Sequence, residues 1–420
     1  MYYKKEVDKM KAVILAIGNE VVSGDIVNTN AAYIADYIKS FGVDTIAHAA
    51  VTDKEKHIIK ALKSSFKKAD IIITTGGLGP TYDDITKKAA AKYFKRELVK
   101  DEESESKIRE YFEKLERPMS DVNMVQCYFP KGSEIIPNSN GTAPGAIIRD
   151  AKKTVLMFPG PPSEMSLMLK SSPVTAFLSS VKDEEIMETI VRFFGIGESA
   201  LQEMLSDYLS ASKNVTVAPY IKTGEVELKI TVKAQTAEEA QSKTDEIKEI
   251  LKEKAGQYIY SEENEELEEV VIKKLKEKGL KLVTVESCTG GLIGKKITDV
   301  SGSSEVYSGG LITYSNEMKM MLCGVKEETL DNYGAVSKGT ALEMAEGALR
   351  RYGADIAVSV TGVAGPGCSE NKSAGLVYIG TATRNGSDAK RFSFGGNREK
   401  VREQSAKNAL YAVLKLLNEE

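Results

Sequence analysis

Two glycine-rich turns, each directly after a short apolar run, lie far apart in this chain. Ile71-Ile72-Ile73-Thr74-Thr75 runs into Gly76-Gly77-Leu78-Gly79-Pro80 and on to Asp83-Asp84. Leu282-Val283-Thr284-Val285-Glu286 runs into Ser287-Cys288-Thr289-Gly290-Gly291. A strand that stops at glycines and restarts as a helix aims bare backbone N–H groups, and the positive helix end, at one spot suited to phosphate or another anion. Two such turns predict one chain acting twice on phosphate-bearing small molecules. Near the first, Gly18-Asn19-Glu20 with Gly24-Asp25, and Pro159-Gly160-Pro161-Pro162 with Glu164, supply further turns after strands. Glycines permit close backbone approach to phosphates, and carboxylates such as Asp25, Asp83 and Asp84 suit a bridging divalent cation. Tight turns and helix caps use the same residue types, so it is the convergence of three turns with an Asp pair that favours a site.

The second turn is followed by hydroxyls, Ser301-Gly302-Ser303-Ser304, Thr313-Tyr314-Ser315, Ser337 and Thr361, beside its own Ser287, with Lys319 among them and Arg398 near the start of the last helix. The chain has two histidines, His48 and His57, so nothing after residue 57 supplies an imidazole. A Ser-His-Asp triad built within that half is excluded, and a serine nucleophile there needs another base. A lysine held near neutrality by desolvation or nearby charge can serve, with tyrosine relaying the proton. Tyr314 and Lys319 are five apart, which is not the Tyr-x-x-x-Lys spacing of short-chain dehydrogenases. Cys288 has no histidine partner in its segment and reads as structural.

The elements that must position these residues follow from periodicity. Strands at Ala12–Ile17, Val43–Val51 and Ala69–Thr74 alternate with helices at Asn30–Lys39 and His57–Phe66, the grammar of βαβ units and a parallel sheet. A charged helix at Glu102–Leu115, irregular chain around Pro130–Pro144 and a last strand at Thr154–Phe158 complete this first domain, 10–176. From residue 185 to 260 the pattern becomes a small α+β module: strands Thr189–Phe194, Val215–Tyr220 and Glu225–Ala234, helices Glu198–Leu209 and Ala237–Lys254. A third domain, 262–420, starts again with strand Leu282–Glu286 and helix Leu292–Thr298. Strand Val306–Thr313, helix Ala341–Tyr352 and strand Ile356–Thr361 follow. The Asn385-Gly386 dipeptide marks a hairpin, and Arg398–Leu417 closes as a helix.

The strings Gly18-Asn19-Glu20-Val21-Val22-Ser23-Gly24-Asp25, Thr75-Gly76-Gly77-Leu78-Gly79-Pro80-Thr81-Tyr82-Asp83-Asp84-Ile85-Thr86 and Phe158-Pro159-Gly160-Pro161-Pro162 resemble the CinA family of competence/damage-inducible proteins. The resemblance runs over essentially the whole chain from Met10. It implies a molybdopterin-binding-like α/β first domain acting as a metal-dependent ADP-ribose pyrophosphatase, with cobalt or magnesium and potassium as activators. It implies a K-homology-like middle domain that orients its neighbours or joins a homodimer interface. It implies a carboxy-terminal amidohydrolase domain that deamidates nicotinamide mononucleotide without a cofactor. Relatives that bind molybdopterin carry threonine where this chain has Leu78, a loss of a hydroxyl that weakens a molybdenum-cofactor role. Asp84 corresponds to an aspartate beside the phosphate chemistry, with Gly18, Asn19, Glu20, Gly76, Gly77, Gly79, Gly160 and Pro161 around it. In the third domain the resemblance puts Ser304, Tyr314 and Lys319 at the centre, lined by Ser287, Thr361, Arg398, Gly290, Gly291 and Gly362. Ser304 is favoured as nucleophile, with Ser287 as the alternative. A molybdopterin-binding protein and a non-enzymatic partner of DNA-uptake machinery are the rival roles.

Composition describes an ordinary soluble globular protein. The 420 residues, 42% hydrophobic and 28% charged, suit two or three globular domains. No apolar run approaches the roughly 18 residues of a membrane span, and the charged amino-terminal stretch does not resemble a secretory signal. Cys127, Cys288, Cys323 and Cys368 are scattered, which predicts reduced thiols in a cytoplasm rather than disulfides or a zinc site. A net charge of -4 argues against a broad nucleic-acid footprint.

Overall fold

The computed structural model describes residues 10–182, 184–206 and 214–419. The chain divides into two compact units, 1–187 with 232–241, and 188–231 with 242–420.

In the first unit the strands are β1 (Lys11–Ile17), β2 (Asp44–Val51), β3 (Ile71–Thr75), β4 (Leu98–Lys100), β5 (Tyr128–Pro130), β6 (Glu134–Ile136), β7 (Gly145–Asp150) and β8 (Lys153–Phe158). Six form one sheet in the order β2-β1-β3-β8-β7-β6, and β4 pairs with β5. β1 is apolar at every position after Lys11 because both its faces are covered. Ala12 and Ile14 pack with the helices Thr29–Lys39, Pro162–Leu169 and Ser172–Ser180. Val13, Leu15 and Ile17 pack with Glu55–Ser65 and Thr86–Phe94 on the other side. β2, β1, β3 and β8 are parallel, whereas β7 and β6 run antiparallel. The sequence reading left Gly145–Asp150 out of the sheet. The hairpin to β8 turns through Ala151, at φ 50, with none of the Asn-Gly chemistry that advertises such a turn.

The second unit carries a four-stranded sheet, β10-β11-β9-β12, from β9 (Glu185–Phe194), β10 (Val215–Lys222), β11 (Glu225–Ala234) and β12 (Ile259–Ser261). The helix expected over Glu198–Leu209 spans Glu198–Met204, and its last three expected positions lie outside the described residues. A second sheet has the order β14-β13-β15-β16-β17, from β13 (Leu282–Glu286), β14 (Tyr307–Ile312), β15 (Ile356–Gly362), β16 (Leu376–Thr383) and β17 (Gly386–Ser393). β14, β13 and β15 are parallel, and the Asn385-Gly386 hairpin adds β16 and β17 antiparallel. Helices Leu267–Lys278 and Arg398–Glu419 cover one face and Lys338–Tyr352 the other. Between the two sheets of this unit, buried Arg192 pairs with Glu227 and Glu266, and Lys407 with Glu225. Phe194 stacks on Tyr411 at 4.3 Å. Among the described residues no helix is long and apolar enough to cross a membrane.

Candidate active sites

The three parallel strands of the five-stranded sheet end at one edge, and their carboxyl ends open a cleft of ≈ 410 Å³. Such edges are where open α/β sheets bind ligands. Ser287 follows β13, Tyr314 follows β14, and Thr361 and Gly362 end β15; all four line the cleft with Lys319 and Arg398. Lys319 begins a short π-helical turn, Lys319–Cys323, that presses against the helix Lys338–Tyr352. Gly347 makes this contact possible, since a Cβ there would meet the Cys323 carbonyl oxygen at 1.6 Å.

Lys319 is 1% exposed. Its Nζ lies 3.2 Å from Ser287 Oγ, 2.8 Å from the Thr313 carbonyl and 3.3 Å from the Tyr314 carbonyl. Burial holds its pKa below the ordinary lysine value, with the Glu370 carboxylate partly opposing the shift. Carbonyls only accept, so Thr313 and Tyr314 each take an N–H of Lys319; in its neutral form the amine would have its lone pair for the Ser287 hydroxyl proton. Tyr314 therefore contributes its main chain here; its phenol is exposed and stands 3.5 Å from Arg398, which also donates to the Gly365 carbonyl at 2.7 Å. Thr361 Oγ1 donates to the Ala335 carbonyl at 2.7 Å. Glu370, absent from the sequence-derived set, accepts from the N–H groups of Ala335 and Val336 and so ties that loop to the cleft. Burial pushes the Cys288 thiol up to about 11, which leaves it protonated in the cleft wall.

Two expectations for this domain need correction. Ser304 is exposed in the turn before β14 and does not line the cleft. Because β14 runs parallel to β13, a residue preceding β14 lies at the amino edge of the sheet, opposite Ser287. Gly290 and Gly291 are also absent from the lining. Their turn does gather backbone N–H groups on an anion, but the anion is internal. The Glu286 carboxylate, 1% exposed, accepts from Gly291, Ile293 and Gly294 at 2.9, 3.1 and 2.8 Å.

In the first unit the carboxyl ends of β1, β3 and β8 surround a cleft of ≈ 400 Å³. Gly18, Glu20, Gly76, Gly77, Gly79, Asp83, Asp84, Gly160 and Pro161 line it, together with Asp53, Gln126, Thr142 and Glu164. Gly76 and Gly77 have φ of 104 and 69, and a Cβ on Gly76 would meet the Ile17 carbonyl at 2.0 Å. Among the described residues no acceptor takes the N–H of Gly77, Leu78 or Gly79. Thr81 braces the aspartates: its N–H donates to Asp84 at 2.9 Å and its hydroxyl reaches Asp84 at 2.6 Å, and Asp83 too. Asn30, buried under the cleft, donates to Thr75 Oγ1 at 2.8 Å and to the Gly160 carbonyl at 2.7 Å, which fixes the Pro159–Pro161 turn against β3. Behind the wall, Lys87 is buried over the Phe129 ring and donates to the Gln126 carbonyl at 2.6 Å; burial lowers its pKa to about 7.

Asn19 and Asp25 do not line this cleft. The Asn19 main-chain N–H donates to Asp53 at 2.9 Å and so helps position that carboxylate, and exposed Asp25 accepts from Ser23 Oγ. Asp53 is a carboxylate of this cleft that the sequence motifs do not single out. It stands two positions past β2, the strand-end placement that marked the other turns. Its pKa is raised, by burial first and then by the negative charges of Glu20, Asp83 and Asp84. Burial likewise raises Glu164. Among the described residues no three His, Cys, Asp or Glu side chains are gathered into a metal cage.

The fold and these clefts define an α/β chain with a serine–lysine cleft in one unit and a carboxylate–glycine cleft in the other. Family models match along its length: "Probable molybdopterin binding domain" over residues 13–175, "Damage-inducible protein CinA KH domain" over 188–261 and "CinA C-terminal domain" over 264–417. A protein of Caldicellulosiruptor saccharolyticus named for competence-damage induction is 44% identical across 97% of this chain and 99% of its own length. A "CinA-like protein" of Kosmotoga olearia is 41% identical over the same shares. The crystal structure of the competence/damage inducible protein CihA from Agrobacterium tumefaciens covers 36% of this chain and 93% of its own, at 44% identity and a TM-score of 0.35. The chain belongs to the CinA family.

Proposed function

We propose that the carboxy-terminal cleft deamidates nicotinamide mononucleotide to nicotinate mononucleotide and ammonia. The observation that carries this reading is the buried Lys319 Nζ at 3.2 Å from Ser287 Oγ. Ser287 Oγ attacks the carboxamide carbon while the Lys319 lone pair takes its proton. Lys319 returns that proton to the departing nitrogen, and ammonia leaves an acyl-serine. Water, deprotonated by Lys319, then adds to the acyl carbon, and the proton returns to Ser287 as the acid departs. Exposed Arg398 at the rim suits the nucleotide phosphate. Ammonia release from nicotinamide mononucleotide, measured for the intact protein and for Lys319→Ala, tests this. Turnover abolished by the substitution supports it, and no turnover by the folded intact protein overturns it.

A second reading is carried by the glycine turn of the first unit and its facing carboxylates. We propose that this cleft hydrolyses ADP-ribose to AMP and ribose 5-phosphate with a divalent cation, cobalt or magnesium. The all-oxygen donor set, with Asp53 made harder to ionise by burial and then by three neighbouring charges, fits a hard cation. Without a three-residue cage, the fit is to an ion that takes one or two carboxylates, with water and phosphate oxygens completing its shell. When bound, the cation supplies charge neutralisation on the diphosphate. Asp83 and Asp84, braced by Thr81, would hold it, and the open N–H groups of Gly77 and Gly79 would receive phosphate oxygens. Release of both products, dependent on added cation and lost in Asp84→Asn, tests this; tight pterin binding without turnover would favour a molybdopterin-binding role instead.

A further inference from the structure

Beside the carboxylate cleft, the helix Glu102–Lys114 and the segment from Ile135 to Pro144 enclose a second, larger cleft of ≈ 690 Å³. That size lies within the range of about 300–1,000 Å³ typical of small-molecule sites. Its apolar walls are Ile108, Tyr111, Leu115, Ile135, Pro137 and Pro144. Both of its lysines are paired with glutamates of the same helix. Lys107 pairs with Glu103 at 2.6 Å and Lys114 with Glu110 at 2.8 Å, while Asp101 accepts the Ser104 N–H at 2.7 Å. An uncharged ring suits such walls, and a phosphate group does not.

The two clefts adjoin. Thr142 lines both, and its Oγ1 accepts from Gln126 of the carboxylate cleft at 3.2 Å. Asn138 lines the apolar cleft and donates to the Glu164 carboxylate of the other at 2.6 Å. Gly141 of the apolar cleft lies against Glu164 of the other: a Cβ there would meet the Glu164 carboxyl at 2.4 Å. A ligand with a diphosphate at one end and a planar base at the other would therefore span two chemically matched compartments.

We propose that the apolar cleft is the base subsite of the amino-terminal active site and takes the purine nucleoside end of a nucleoside diphosphate. The proposal rests on the reading of the neighbouring cleft as a diphosphate hydrolase and adds the direction in which the substrate lies. The adenine ring packs among Ile108, Tyr111 and Pro137, the diphosphate lies between the Gly76–Gly79 turn and the carboxylates, and the ribose 5-phosphate end leaves the apolar cleft unused. Base selectivity then belongs to the helix Glu102–Lys114 rather than to the glycine turn.

The test uses the full chain and AMP as probe, with ribose 5-phosphate as the baseless comparison. AMP affinity is measured by titration calorimetry for the intact protein, Tyr111→Ala and Leu115→Asp, and 8-azido-AMP is photolinked and mapped by peptide. Loss of base–aromatic packing is expected to weaken AMP binding and raise the KM for ADP-ribose by about tenfold, with kcat and ribose 5-phosphate binding little changed. The label is expected in peptides covering residues 104–115 or 135–144. A label elsewhere, or equal AMP affinity in all three proteins, overturns the subsite. AMP bound and labelled in this cleft without any ADP-ribose turnover would uphold the subsite and sink the hydrolase reading. Cation-dependent turnover with an unchanged KM in both variants would do the reverse.

Discussion

The two clefts start from the same local sequence grammar, an apolar strand that breaks at glycines after its last residue, yet they deploy it in opposite ways. After β13 the turn folds back on its own strand. Glu286, the last residue of β13, swings its carboxylate under the helix Leu292–Thr298 and takes three backbone N–H groups. The anion site is filled from within, and its effect is to fix the position of Ser287, the next residue. β3 ends on Thr75, so no carboxylate stands where Glu286 does after β13. Among the described residues no acceptor takes the N–H groups of Gly77, Leu78 and Gly79; Asp83 and Asp84 follow farther along the same loop, and Glu20, Asp53 and Glu164 arrive from other loops. A glycine turn thus predicts an anion; whether that anion is the protein's or the ligand's depends on the residue just before it.

The sharpest way to break this contrast is to remove each chemistry separately. Ser287→Ala and Lys319→Ala are each expected to cut deamidation by about a thousandfold, within the range of a lost nucleophile or base, while ADP-ribose hydrolysis continues; parallel ammonia and AMP assays read both. The pH profile sharpens the same point. Because burial lowers the Lys319 pKa and the neutral amine is the base, kcat/KM for nicotinamide mononucleotide should rise with pH through an apparent pKa below the ordinary lysine value of about 10.4. An apparent pKa at or above that ordinary value would count against Lys319 in the role. Asp84→Asn is expected to lower ADP-ribose hydrolysis by about a hundredfold through lost positioning, with ammonia release untouched. A fall in both activities would mean that the two clefts are coupled.

Smaller effects test the internal anion. Glu286→Gln keeps the shape but turns one acceptor oxygen into a donor facing a backbone N–H, at a cost of about 1–3 kcal/mol. Thermal unfolding should show it as a lower Tm, and deamidation should fall because Ser287 loses its anchor. The smallest expected effect is that of Ser304→Ala, which should leave deamidation essentially unchanged, since Ser304 sits at the far edge of the sheet. A large loss there would return the nucleophile question to the open.

Most of the fold was legible because its strands are short apolar runs bounded by glycine or proline, and its helices carry regular apolar spacing. Glu225–Ala234, Leu282–Glu286 and Leu292–Thr298 fall where periodicity put them. β7 was not legible, because a non-glycine residue makes its turn and its pairing partner is known only once the sheet forms. The site was legible in part. Ser287, Tyr314, Lys319, Thr361 and Arg398 do converge on one cleft, and the Gly76–Gly79 turn does meet Asp83 and Asp84. Asp53 escaped notice because nothing local distinguishes it from any acid after a strand.

What the sequence determined by itself is the inventory: no imidazole beyond residue 57, a lysine and hydroxyls near one glycine turn, paired aspartates near the other. Residue types set which proton transfers and which cation contacts are available, and those do not depend on the fold. Tertiary structure alone decided direction and burial. Parallel pairing of β14 with β13 sent Ser304 to one edge and Ser287 to the other. Close packing at Gly347 seated Lys319 out of water, where burial lowers its pKa. Both are consequences of chain segments far apart in sequence meeting in space, which local spacing does not encode.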